Sequence, residues 1–157
     1  MLKNIVNNDS YSFVGLAHIA FQQAMKLGES PSEQDRLLVK AYNKYLDILA
    51  HDHSNAYASL GLANVLAFFG KTEDASEIYR LITESTSSLF EPLVNRAHLL
   101  VEEKKFDQSI NLYQNVLEKF KPGDLKMQMY LSKALYLKED YAKCKELLTG
   151  LILRFPH

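Results

Sequence analysis

The chain has no tryptophan and a single cysteine, Cys144, and its 157 residues include only four prolines and six glycines. One cysteine excludes an internal disulfide and points to a reducing compartment. So few prolines and glycines leave little room for linkers or low-complexity tracts. Charge of neither sign dominates: 18 Lys and Arg stand against 19 Asp and Glu, a net charge of −1. There is no basic block, and phosphate binding needs clustered cations, so direct nucleic-acid binding is not expected. No apolar run approaches the roughly 18 residues that cross a bilayer. Met1-Leu-Lys-Asn-Ile-Val lacks a signal-peptide core, and neither end carries a lipidation motif. A Gly-rich phosphate loop, a His-Glu helix motif and a nucleophile elbow are likewise missing. The expectation is a soluble intracellular protein with no catalysis, no metal and no cofactor.

What is present is a repeat. Ala63 and Ala97 lie 34 apart, as do Ala75 and Ser109, and Tyr79 and Tyr113. A 34-residue period with small residues at two fixed places and an aromatic four after the second is the pattern of the tetratricopeptide repeat (TPR), a helix–turn–helix unit. The small residues mark where two helices approach to about 8–10 Å. The slot pairs are Ala17 with Ala41, Ala63 with Ala75, Ala97 with Ser109, and Ser132 with Cys144. The predicted fold is all-α, an α-α superhelix of about four TPR units at 10–55, 56–89, 90–124 and 125–157, after a frayed segment at 1–9.

Local signals place the helices. Asn8, Asp9 and Ser10 are cap-type residues before a first helix from about Tyr11 to Leu27. Gly28-Glu-Ser-Pro-Ser breaks the pattern, and a second helix runs from Pro31 to about Ala50. Ala17 and Ala63 lie 46 apart rather than 34, whereas Ala41 to Ala75 is 34, so a dozen extra positions are inserted within the first unit. The expected form is a longer loop plus an extended second helix. Gly70-Lys-Thr makes a turn, Pro92 suits a first helical turn, and Lys121-Pro-Gly-Asp is a stop followed by a cap. Pro156 falls where the repeat places its terminal proline.

In a TPR array the first helix of each unit lines the concave face. That register selects Tyr11, Val14, His18 and Phe21, then Tyr57, Leu60, Asn64, Ala67 and Phe68. It continues with Glu91, Val94, His98, Val101 and Glu102, then Lys126, Met129, Lys133, Tyr136 and Leu137. The set is more apolar and aromatic than a solvated face requires, which predicts a groove for an extended or helical peptide. The candidate partner-binding residues are Tyr57, Leu60, Asn64, Phe68, Val94, His98, Met129, Lys133 and Tyr136. A carboxylate clamp is not expected, because its lysine positions hold Val14, Leu60, Val94 and Met129. His51 and His53 have the spacing of a weak metal pair, but they read better as a solvated helix end. Cys144 fills a packing slot rather than a catalytic one. Glu102-Glu103-Lys104-Lys105 reads as a solvated turn.

Beyond the repeat consensus, several stretches resemble the large TPR subunits of the RNA polymerase II-associated factor complex. They are Asp9-Ser-Tyr-Ser with Gly15-Leu-Ala, Asn55-Ala-Tyr-Ala with Gly61-Leu-Ala-Asn-Val-Leu-Ala67, and Asn95-Arg-Ala-His98. Leu117-Glu-Lys-Phe120, Tyr130-Leu-Ser-Lys-Ala-Leu135 and Cys144-Lys-Glu follow. The family also enlarges its first-unit linker at the place of this chain's insertion. The chain departs from it at His18 and in the linker, which lacks the family's heavy charge. The resemblance covers nearly all of this chain but a middle segment of a longer protein. It implies a nuclear scaffold that binds the other subunits of a transcription elongation complex and supports polymerase association and histone modification. The alternative is an unrelated TPR adaptor, such as a ubiquitin-ligase or RNA-processing subunit, holding a peptide in its concave groove. A complete array normally ends in a polar capping helix. Leu147, Leu151 and Ile152 are therefore expected to be exposed, with self-association through that uncapped end.

Overall fold

Periodic apolar residues and local caps turn nearly the whole chain into helix. In the computed structural model the described residues are 2–26 and 31–154, with side chains described from residue 12. They form helices α1 (Leu2–Lys26), α2 (Pro31–His51), α3 (Ala56–Phe68), α4 (Thr72–Ser85), α5 (Glu91–Glu102), α6 (Phe106–Lys119), α7 (Leu125–Leu137) and α8 (Tyr141–Arg154). The chain divides into two compact units, Met1–Ile82 and Thr83–His157. In the first, α1 packs on α2 and α3 packs on both; in the second, α5 packs on α6, α6 on α7 and α7 on α8. The break at Gly28 to Ser30, Pro156, and the side chain of Tyr11 lie outside the described residues.

The helix ends repeat as faithfully as the cores. Asn55 Oδ1 accepts from Ala58 N at 2.9 Å to start α3, and Asp124 Oδ1 accepts from Met127 N at 2.8 Å to start α7. Each cap satisfies one of the unpaired N–H groups of a helix start. After α3, α5 and α7 the chain turns through a left-handed residue at Gly70, Lys104 and Glu139, with φ of 74°, 61° and 68°. The next amide then closes back on the helix: Lys71 N to Leu66 O, Lys105 N to Leu100 O and Asp140 N to Leu135 O, at 2.8–3.0 Å. This is the Schellman closure, which favours glycine at the left-handed place. Only the first of the three turns has one.

All eight small-slot residues are buried. Ser109 Oγ donates to Ala97 O at 2.9 Å, and Cys144 Sγ donates to Ser132 O at 3.4 Å. Ser109 and Cys144 thus bind the carbonyl of their own partner slot, and the third polar slot, Ser132, donates its Oγ to Met129 O at 2.8 Å, which lets hydroxyls and a thiol sit where alanine sits elsewhere. Tyr45, Tyr79 and Tyr113 are among the largest fully buried side chains. Burial pushes the phenols of Tyr45 and Tyr113 up to about 12, so both keep their protons.

Three expectations change. Helix α1 begins at Leu2, so the polar stretch 1–9 and the caps at Asn8 to Ser10 lie inside it; cap-type residues cost only a few tenths of a kcal/mol in a helix interior and need not stop one. Of the inserted dozen, the expected extended second helix is there, but most of the expected longer loop is helix at the end of α1 instead. Helix α1 runs nine residues past Ala17 where α3 runs five past Ala63, and α2 starts ten before Ala41 where α4 starts three before Ala75. Eleven of the twelve are therefore helical. The extension holds because Ala24 and Leu38 bury against one core, with Gln34 Nε2 donating to Ala24 O at 3.0 Å. On α8, Leu151 is buried and Leu147 half-buried, and the exposed residues are Ile152 and Leu153. The side of α8 that carries Leu147 and Leu151 is already in use against α7.

A candidate peptide cleft in the first unit

Helix α3, AYASLGLANVLAF, contains no charged residue. Such a helix is stable when it is covered on several sides. Its Gly61 lies against the ring of Tyr45 from α2: a Cβ there would stand 2.2 Å from Tyr45 Cζ. The missing side chain lets the buried phenol reach across, and the Tyr45 ring becomes the floor of a cleft of about 520 Å³. Val14, Gly15 and His18 of α1 form one wall; Tyr57, Leu60, Gly61 and Asn64 of α3 form the other. On the α1 side Gly15 opens the wall, since a Cβ there would meet nothing within 4 Å.

Among the described residues, no aspartate, glutamate, lysine or arginine lines the cleft. Its polar atoms are those of His18, Asn64 and the two tyrosines. His18 Nε2 is 2.9 Å from Gln22 Nε2, and Asn64 Oδ1 accepts from Tyr79 Oη at 2.8 Å. Tyr57 is half-exposed at the rim. A largely apolar wall with a few hydrogen-bonding groups is the usual chemistry of a site for an uncharged side chain.

Of the sequence-selected residues, Tyr57, Leu60 and Asn64 come together here, and Phe68 does not. Phe68 stands at the end of α3, edge-on to the exposed Phe69 with centroids 6.2 Å apart. In the second unit Val94 is 7% exposed and sits in the core cluster with Tyr113 and Leu131, so it lines no open surface. Met129, Lys133 and Tyr136 are exposed on α7, and Tyr136 packs edge-on against Tyr141. His98 is half-buried in an aromatic cluster. Its Nδ1 shares a hydrogen bond with Tyr113 Oη at 2.6 Å, and its ring is edge-on to Tyr130 at 4.6 Å. Lys126 Nζ lies 5.8 Å from the Tyr130 centroid. Burial, then the charges of Lys133 and Lys126, hold the His98 imidazole below its usual range. Asn64 and His98, one repeat apart, thus play one part: each ties down the buried tyrosine of its own helix pair.

The register of first helices misses Gly15, Tyr45 and Gly61. Tyr45 reads in the sequence only as a packing residue, and a glycine offers no side chain to count. The signal that could have found them is the pairing of a core aromatic on one helix with a glycine inside the next. Among the described residues, no group of three His, Cys, Asp or Glu side chains could hold a metal. His51 Nδ1 is 2.8 Å from Asp47 O at the end of α2. No described helix is long and apolar enough to cross a membrane.

No family model matches the chain. Among curated proteins, it is 30% identical to "RNA polymerase-associated protein CTR9" of Caenorhabditis elegans, over 98% of this chain and 14% of that protein. It is 31% identical to "Protein CTR9 homolog" of Arabidopsis thaliana, over 94% of this chain and 14% of that protein. The chain thus spans about one seventh of the length of these relatives. Among solved structures, it matches MamA of Desulfovibrio magneticus RS-1 with a TM-score of 0.71 at 14% identity, covering 92% of this chain and 76% of that one. It matches a thermophilic TPR protein of Thermus thermophilus with a TM-score of 0.70 at 18% identity, covering 79% and 62%. YrrB, described as a TPR protein with an unusual peptide-binding site, matches with a TM-score of 0.64 at 15% identity, covering 87% and 68%. The fold is that of the tetratricopeptide repeat, and the sequence resembles the CTR9 proteins.

Proposed function

From a TPR chain that resembles CTR9 over nearly its whole length, we propose a scaffold segment of an RNA polymerase-associated assembly, holding partner subunits and carrying out no reaction itself. The supporting observation is the uncharged cleft of the first unit, in a chain whose relatives are named for polymerase association. An apolar or aromatic side chain of a partner's helical or extended segment seats on the Tyr45 ring between Tyr57 and Leu60. His18 and Tyr57 supply hydrogen bonds at the rim. Nuclear location, support of elongation and support of histone modification belong to the same reading.

The test uses Gly15→Leu. A Cβ at position 15 would meet nothing within 4 Å, so a leucine there has room to reach into the cleft. The chain, Gly15→Leu, Tyr57→Ala/Leu60→Ala and Phe68→Ala are each used to capture proteins from nuclear extract. Wild type and Phe68→Ala recover polymerase-associated subunits, and the two cleft variants lose them by about tenfold, the effect of roughly 1.4 kcal/mol. Equal recovery by all four moves the interface away from the cleft. Cleft-dependent capture of a protein from outside any polymerase assembly would assign the chain to the other reading, a TPR adaptor of unrelated pathway.

A further inference from the structure

The cleft of the first unit has a counterpart in the second, and there it is filled. Counted from the small slots, Val14, His18 and Tyr45 correspond to Val94, His98 and Tyr113, so these places carry the same residue types in both units. The opposite wall differs. Tyr57 and Gly61 of α3 correspond to Lys126 and Tyr130 of α7. Where the first unit has a glycine, the second has a phenol.

The neighbours of the Tyr130 ring outline the missing side chain. The ring lies stacked on Tyr113, with centroids 6.0 Å apart and 29° between the planes, and His98 meets it edge-on at 4.6 Å. Lys126 Nζ stands 5.8 Å from its centroid. The counterparts of these neighbours, Tyr45, His18 and Tyr57, line the open cleft of the first unit. Stacked and edge-to-face rings attract one another beyond the area they bury, and both partners for such a ring stand ready there. His98 is half-buried beside its ring neighbours, whereas His18 is exposed. Among the described residues no charged side chain lines the cleft, so in charge it matches an uncharged occupant.

We infer that the first-unit cleft takes one aromatic side chain, phenylalanine or tyrosine, from the bound partner, lying on Tyr45 as Tyr130 lies on Tyr113. The second unit supplies this ring from its own α7; the first leaves the place to a ligand. A flat ring is therefore preferred over a branched aliphatic chain of similar size, and a charged side chain is refused. This preference rests on the cleft being the partner's seat. It does not depend on which assembly the partner belongs to.

The experiment titrates the chain with N-acetyl-phenylalanine amide, N-acetyl-tyrosine amide and N-acetyl-leucine amide to about 30 mM, a range that reads millimolar binding. Carbon–proton NMR follows the Leu60 methyl and His18 ring signals. The two aromatic amides move these signals saturably and bind about tenfold more tightly than the leucine amide, the ratio that two ring contacts supply. In Gly15→Leu the shifts disappear. In the wild-type chain the His98 signals stay still, because Tyr130 occupies the equivalent place. Tyr130→Gly empties that place, so the aromatic amides then move His98 as well. A leucine amide that binds as tightly as the aromatic ones overturns the inference and leaves the cleft as a seat for any apolar group. So does the lack of a saturable shift at Leu60 and His18, or a shift that Gly15→Leu leaves unchanged. A folded Tyr130→Gly chain whose His98 ignores the aromatic amides overturns it too; should that variant not fold, the wild-type titration decides. Capture from nuclear extract separately decides whether a polymerase-associated partner uses the cleft.

Discussion

Replacing Gly61 by alanine opposes two effects of known size. In a helix interior alanine is favoured over glycine by about 1 kcal/mol, and Gly61 lies within α3. Against this, the new Cβ would stand 2.2 Å from Tyr45 Cζ and 2.6 Å from its Oη. Carbon atoms in contact prefer about 3.5–4.0 Å, so the Tyr45 ring must leave its buried seat and shift toward the cleft it floors. Overpacking costs roughly 1–3 kcal/mol, and an overlap this deep belongs at the upper end. The net loss is about 2 kcal/mol. For a chain of this length each kcal/mol moves Tm by about 2–4 °C, so the variant melts about 4–8 °C lower. The sign should invert without the ring. In a Tyr45→Leu background, Gly61→Ala keeps its helix gain and raises Tm by about 2–4 °C, a coupling of about 3 kcal/mol. Thermal unfolding of the four proteins, followed by far-ultraviolet circular dichroism, reads both numbers. A Gly61→Ala chain that melts higher than wild type, or shifts equally in both backgrounds, would refute the packing of Tyr45 on Gly61.

Ala97→Phe puts a large ring into a fully buried slot opposite Ser109 and is expected to lower stability by about 3 kcal/mol or more, read by urea unfolding; an unchanged midpoint would count against the slot. Lys104→Gly relieves a left-handed residue at an exposed turn and should raise stability by about 1 kcal/mol, with Glu139→Gly doing the same and Gly70→Ala the reverse. Asn55→Ala removes the cap of α3 and should cost about 1 kcal/mol, with amide exchange quickening first at the start of that helix. His98 has its pKa held below the ordinary 6.5, by burial first and then by Lys133 and Lys126. Its neutral form therefore contributes stability that is present above pH 6.5 and lost as pH falls toward the folded value, because the unfolded chain takes up the proton first. His98→Gln should flatten that acid limb, and Lys133→Gln should raise the imidazole midpoint read by proton NMR; a midpoint at or above 6.5 in the wild-type chain contradicts the assignment.

The repeat was legible because its physics is local. Eight small residues and three tyrosines stand at fixed spacing, and helix contact at short range requires small side chains whatever lies further along the chain. Turn chemistry was legible at Gly70 and at Lys121-Pro-Gly-Asp. The left-handed residues at Lys104 and Glu139 carried no such signal; they appear only as equivalents of Gly70. The insertion was visible as a dozen positions out of phase and as an extended second helix, but not as an extension of the first, because breakers at Gly28 and Pro31 say where a chain can turn and not how the extra positions divide between its neighbours. That was decided by Ala24 meeting Leu38 across two helices.

By itself, then, the sequence determined the helix pairs, their small-residue contacts and the concave register that holds Tyr57, Leu60 and Asn64. Only the tertiary structure decided which members of that register stay open. Leu60 and Val94 occupy the same place one repeat apart, yet Leu60 borders a cleft and Val94 is sealed in a core. Coverage depends on which neighbours reach the position: Gly15 of α1 and Gly61 beside it leave room around Leu60, whereas Val94 shares its cluster with Tyr113, Met127 and Leu131. Periodicity is written along one helix, but exposure is a property of the neighbours that reach it through space.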